Sequence, residues 1–258
     1  NHYKNDMIEI SDLGEKSFYD HIISKKSKIK SYKSLIKLLV KMQKIKVKKY
    51  YKFEKLKIKI PKYTLLTLHK ESDLFFDWYL KYVLRKKKIN KVKKILRSEL
   101  NKVYKKLNYK NDTFVHRDFH ISNVMIKKNK LGIIDSQDAI IGNPLYDVLS
   151  LIDDVRIKLP NKLQKKLLDF YHKNSKLKSD HIKKLKNDFD ILSVQRNLKI
   201  LGIFVRLYKR DNKDNYLKFL PYTWTLIEKR LQNPALKNLK ILFHKQLPFK
   251  KLKKINKI

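Results

Sequence analysis

"FVHRDFHISNVMIKKNKLGIIDSQDA" (residues 114–139) decides how this chain is read. It sets Asp118 behind a His–Arg pair, places Asn123 five residues on, and brings Asp135 twelve residues later. Three short β-type runs frame those groups: TFVH (113–116), NVMIKK (123–128) and LGIIDS (131–136), the last two joined tightly through KNK. The stretch reads as a small β insertion whose loops carry the polar residues. On both sides of it the pattern is helical.

Helical spacing of apolar residues predicts helices over 31–47, 71–84, 90–108, 145–152, 161–173, 180–209 and 221–231. Residues 7–10 read as a strand stopped by the turn signal SDLG, and residues 50–63 as irregular with a break at Pro61. The aromatics of DLFFDWYL, at helical spacing, belong to a core. No internal repeat or separate linker is visible. The expected division is 1–14 as the remnant of a preceding lobe and its linking strand, 15–246 as the helical body, and 247–258 as a fraying lysine-rich tail.

Composition narrows the function classes. The 258 residues with 42% hydrophobic content support a sizeable core, and the absence of cysteine excludes disulfides and thiolate zinc sites. No apolar run is long enough to span a bilayer, and a cytoplasmic protein is expected. The formal charge of +40 suggests nucleic acid, yet only eight of the 64 basic residues are Arg and the lysines are spread evenly. A solvated basic surface is the better reading, and nucleic-acid binding is not expected. Such a field would still draw in anionic substrates such as nucleotides.

The chemistry of the cluster is specific. Phosphoryl transfer from a nucleotide needs a carboxylate to take the proton of the attacking hydroxyl, hard oxygen ligands for Mg²⁺, and positive charge to balance the transition state. Asp118 suits the first role, and Asn123 with Asp135 suits the second. His120 beside Asp118 lacks a second His at useful spacing, so a metal role for it is not expected.

HRDFHISN followed by LGIIDSQDA resembles the aminoglycoside phosphotransferase and choline kinase superfamily, and most closely its bacterial branch of cell-wall amino-sugar kinases. KESDLFFDWYL (70–80) and QRNLKILGIFVRLYKRDNKDNYL (195–217) point to the same branch. The resemblance implies an α+β, protein-kinase-like fold: mainly the helical C-terminal lobe, with the β-hairpin insertion holding the catalytic and metal loops. It implies Asp118 as catalytic base, Asn123 and Asp135 as Mg²⁺ ligands, and His116 and Asp147 as structural supports of the loop. It places backbone groups of Glu9, Ile10 and Ser11 near the adenine of ATP. Glu71, Asp77, Trp78, Gln137, Asp138 and Arg206 fall in signature segments as substrate-binding positions. The implied reaction is ATP-dependent phosphorylation of the anomeric hydroxyl of N-acetylmuramate or N-acetylglucosamine during wall recycling.

Two departures stand out. Ser136 occupies the position after the metal-binding Asp where the family usually has Phe. None of the four glycines, Gly14, Gly132, Gly142 and Gly202, sits in a phosphate-cradling loop. The chain is therefore expected to be a fragment, or a protein without that machinery. The alternatives are a degenerate lobe kept as a scaffold, and a kinase of aminoglycosides or another amino sugar. Asp153 and Asp154 are open between a solvated and a buried role, and Arg206 and Arg210 also fit a helix surface.

Overall fold

The SDLG signal is a real turn. Gly14 takes φ 80°, a conformation that side chains disfavour, and its N–H donates to the Asp12 carboxylate at 2.7 Å. The computed structural model describes residues 11–248 apart from 49, 54 and 129. The strand expected at 7–10, with Glu9 and Ile10, lies outside the described residues, as does the tail from 249.

A capping box opens α1 (Phe18–Ile23): Ser17 Oγ accepts from the Asp20 N–H and the Asp20 carboxylate accepts from the Ser17 N–H. The helix of residue 31 onward is α2 (Ile29–Met42), whose Tyr32, Leu35, Ile36 and Leu39 are fully buried. It stops five residues short of expectation. Gln43 instead turns its amide onto the Pro144 carbonyl at 2.7 Å. Residues 50–63 are not wholly irregular, since β1 (Tyr51–Phe53) and β2 (Leu56–Ile58) pair antiparallel as an exposed hairpin. Beyond Pro61 the backbone clips onto the central strands through Tyr63 N–H to Ile141 O and Ile141 N–H to Pro61 O, both 2.8 Å.

The aromatic segment is helical, with a change of pitch. α3 (Leu65–Leu74), capped by Thr64, passes into a π-helical turn (Phe75–Leu80) and the short α4 (Lys81–Val83). α5 (Lys86–Tyr104) follows. In the middle, β3 (Thr113–Val115) does not join the hairpin of β4 (Val124–Lys127) and β5 (Lys130–Ile133). It pairs antiparallel with β6 (Ile140–Gly142), a fully buried strand too short to announce itself in the sequence.

The remaining helices are α6 (Leu145–Ile152), α7 (Asn161–Asn174), α8 (Ile182–Asp211), α9 (Leu220–Arg230) and α10 (Lys237–Gln246). Sequence spacing missed α10. It is basic overall but seats Leu239 and Phe243 in the core, and Leu247 after it is buried rather than frayed. The expected aromatic core exists: Phe75 and Tyr79 stack, Trp224 meets both edge-on, and its indole N–H donates to the Tyr79 hydroxyl at 2.6 Å.

The thirty-residue α8 is the spine, packed against α3, α6, α9 and the π-helical turn. Its contact with α3 requires a glycine. A Cβ at Gly202 would overlap the carbonyl carbon and oxygen of Leu74. Gly202→Ala would gain about 1 kcal/mol of helix propensity, but pushing two packed backbones apart costs about 3 kcal/mol or more, so urea unfolding should show a net loss near 2 kcal/mol. An unchanged midpoint would contradict the close approach.

Candidate active site

The loop from His116 to His120 leaves β3 through a strained residue. Arg117 has φ 71°, costly for a non-glycine, and the fold holds it there with one buried carboxylate. Asp147, on the first turn of α6, accepts the His116 N–H at 2.7 Å and the Arg117 N–H at 3.0 Å. Burial pushes the Asp147 carboxyl up to about 7, against those two donors, which favour its charged form. His116 fastens the other side, its Nε2 lying 3.0 Å from the Ile134 carbonyl, next to Asp135. Burial lowers the His116 pKa, so the ring is neutral and the geometry makes Nε2–H the donor. Both residues therefore support the loop.

Asp135 is also strained, with φ 68° at the end of β5. Asp118 and Asp135 line one cavity of about 240 Å³. Asn123 sits between the loops. Its amide donates to the Asp118 carbonyl at 3.1 Å and lies 3.4 Å from Asp135 Oδ2, while the Asn123 carbonyl accepts the Ile134 N–H at 3.0 Å. Gln137 donates to the other Asp135 oxygen at 2.5 Å.

The pair fits a hard cation sparingly. Among the described residues no group of three or more His, Asp or Glu forms a metal cage. The Asp135 carboxylate on the cavity, with the Asn123 side chain 3.4 Å from it, suits an ion that takes its remaining ligands from phosphates and water, as Mg²⁺ does.

The positions expected to bind substrate scatter. Glu71 is only 5% exposed, and its carboxylate is saturated from inside the protein. Arg117 donates to it at 2.6 Å, Gln195 at 2.8 Å, Lys199 at 3.2 Å and Tyr146 at 3.2 Å, and Tyr63 makes a further short bond. Burial alone would raise its pKa, but Lys199 and Arg117 hold it down to about 2. Glu71 thus anchors the residue before Asp118 from beneath, and a substrate group would find its oxygens taken. Asp77 pairs with Lys93 at 2.7 Å, and with Trp78 lines a separate cavity beside Lys81, Tyr82 and Lys209. Asp138 is exposed, its carbonyl accepting from Arg117 at 3.3 Å. Arg206 is half-buried on α8 and outside the lining of the Asp118 cavity. Ser11 is exposed.

Other residues complete the cavity: His120, Arg156, Arg196, Lys199 and an apolar wall from Val155 to Tyr216. Burial lowers the His120 pKa to about 4, reinforced by Arg156, so its ring is neutral. Lys199 keeps its charge: burial would strip it, but Tyr146, Glu71 and Asp118 oppose that. A signal for these groups was present. QRNLK (195–199) puts polar residues into the most buried part of α8, and arginine is scarce here. Asp153 and Asp154 are buried, not solvated. Asp153 takes Arg230 at 2.6 Å and Ser193 at 2.5 Å, and Asp154 takes Arg156 at 3.0 Å.

Residues 17–181, which contain Asp118, Asn123 and Asp135, match the model of the phosphotransferase enzyme family. The chain belongs to that family. Its architecture is α+β, mostly helical with a few short strands, as the sequence leads one to expect. A curated relative from Neisseria meningitidis is 26% identical over 83% of this chain and 64% of its own length. One from Pseudomonas aeruginosa is 28% identical over 88% of this chain and 67% of its own. One from Caulobacter vibrioides is 31% identical over 52% and 38%. Each is named N-acetylmuramate/N-acetylglucosamine kinase. The chain thus spans under two thirds of the Neisseria relative. Among solved structures, spectinomycin phosphotransferase APH(9)-Ia with ADP and spectinomycin aligns over 87% of this chain and 68% of its own at 13% identity, with a TM-score of 0.45. No described helix is long and apolar enough to cross a membrane.

Proposed function

We propose that the complete protein is an ATP-dependent kinase of a cell-wall amino sugar, phosphorylating the anomeric hydroxyl of N-acetylmuramate or N-acetylglucosamine in the cytoplasm. The observation that carries the reading is the convergence of Asp118 and Asp135 on one cavity with Asn123 between them. The names of the relatives supply the acceptor class.

Asp118 would orient the sugar hydroxyl and take its proton as the oxygen attacks the γ-phosphorus. The bond from that phosphorus to the bridging oxygen breaks, ADP leaves, and the sugar 1-phosphate forms. Asn123 and Asp135 would hold Mg²⁺, which supplies charge neutralisation on the phosphates. Lys199, charged and beside Asp118 in the cavity, would add positive potential where the phosphoryl group passes. Ser11, with the preceding Glu9 and Ile10, would meet the adenine.

The test is direct. The complete protein with ATP and Mg²⁺ should convert N-acetylmuramate or N-acetylglucosamine to its 1-phosphate, seen by phosphorus NMR, and EDTA should stop it. Transfer to an aminoglycoside with neither sugar turned over would refute the acceptor assignment.

A further inference from the structure

Within the cavity, one cation makes no ion pair among the described residues. Arg156 is tied to Asp154 at 3.0 Å and Lys199 to Glu71 at 3.2 Å. Arg196 lines the same cavity, is 4% exposed, and has a buried Nη1 without a hydrogen-bond partner. Asp118 and Asp135 share the space, yet among the described residues no carboxylate lies within ion-pair distance of Arg196. The fold does satisfy its other deeply buried arginine, Arg230, with Asp153 and Asp190.

A buried guanidinium left short of acceptors costs stability, and a ligand anion removes that cost on binding. The planar fork of Arg matches a carboxylate better than Lys would. This chain spends few arginines and places one here. Asp118, which would face the acceptor hydroxyl, lines the same cavity, so an anion carried by the acceptor can reach Arg196. The wall beside it, Val155, Ile200 and Phe204, is apolar, which strengthens an ion pair by excluding water.

We propose that Arg196 receives a carboxylate carried by the acceptor, so that a carboxyl-bearing amino sugar is preferred over its neutral counterpart. The proposal rests on the amino-sugar kinase reading, and N-acetylmuramate, with its lactyl ether, is the matching member of the pair. Arg196 then sets specificity and takes no part in the transfer itself.

Steady-state kinetics on the complete protein, wild type against Arg196→Met and Arg196→Lys, provide the test. Wild type should favour N-acetylmuramate. Arg196→Met should raise its KM by roughly 10- to 100-fold, as expected for losing a charge-assisted contact, and should change the kinetics on N-acetylglucosamine far less, so that the preference between the two sugars collapses. Arg196→Lys should recover part of the loss. Equal loss on both sugars, a raised KM for ATP alone, or a wild type indifferent to the carboxylate would each overturn the subsite. If neither sugar is phosphorylated, the kinase reading fails separately. Saturation-transfer NMR with lactate then decides the subsite: binding to wild type but not to Arg196→Met supports it, and no difference refutes it.

Discussion

Asp118→Asn in the complete protein is expected to lose phosphoryl transfer by about 10²- to 10⁴-fold while binding nucleotide as before. The amide is nearly isosteric, so the cavity keeps its shape. The Asp118 carbonyl keeps its bond from Asn123, and the loop keeps its two anchors on Asp147. Only the ability to accept a proton from the acceptor hydroxyl disappears. Initial rates and an ADP titration measure the two properties separately. Turnover near wild type would remove Asp118 from the base role. A parallel loss of nucleotide affinity would make it a binding group instead.

Glu71→Ala should be the most damaging change to stability, about 3–5 kcal/mol in a denaturant titration. It leaves Lys199 and Arg117 buried or half-buried with their carboxylate gone, and strips partners from Tyr63, Tyr146 and Gln195. The pH dependence has a definite sign. The Glu71 carboxyl moves from 4.5 to about 2 on folding, so its contribution is present above pH 4.5 and is lost as pH falls through about 2. That displacement corresponds to roughly 3 kcal/mol, in line with the mutational figure. Glu71→Gln, which cannot ionise, should flatten the acid limb of the stability profile. If wild type and Glu71→Gln unfold alike between pH 5 and pH 2, the ion pairs contribute nothing.

Arg117 links the two predictions. It sits between the loop that carries Asp118 and the buried Glu71 cluster, and its strained backbone is held from two directions by Asp147 and Glu71. The proposed activity and the stability meet at the residue before Asp118.

Local sequence was sufficient for the helical body and for the order of Asp118, Asn123 and Asp135, because helix periodicity and loop spacing are short-range properties. Seven predicted helices correspond to helices of the fold, and the β4–β5 hairpin is where NVMIKK and LGIIDS put it. Local sequence could not show that β3 pairs with β6, which lies a whole hairpin away and is three residues long. Nor could it separate Glu71 from Asp77, two acids on one aromatic segment. Burial against α8 turns Glu71 into an internal anchor, while Asp77 stays on the surface with Lys93. The partners of Arg196 are likewise a tertiary matter. Sequence says only that α8 carries three arginines, whereas packing decides that Arg196 is buried, without an ion pair among the described residues, and in the same cavity as Asp118. Residue types and spacing thus determined which groups the proposed chemistry calls on. Which charged groups remain available for it was decided by long-range packing, because a charge is free or spent according to neighbours a hundred residues away.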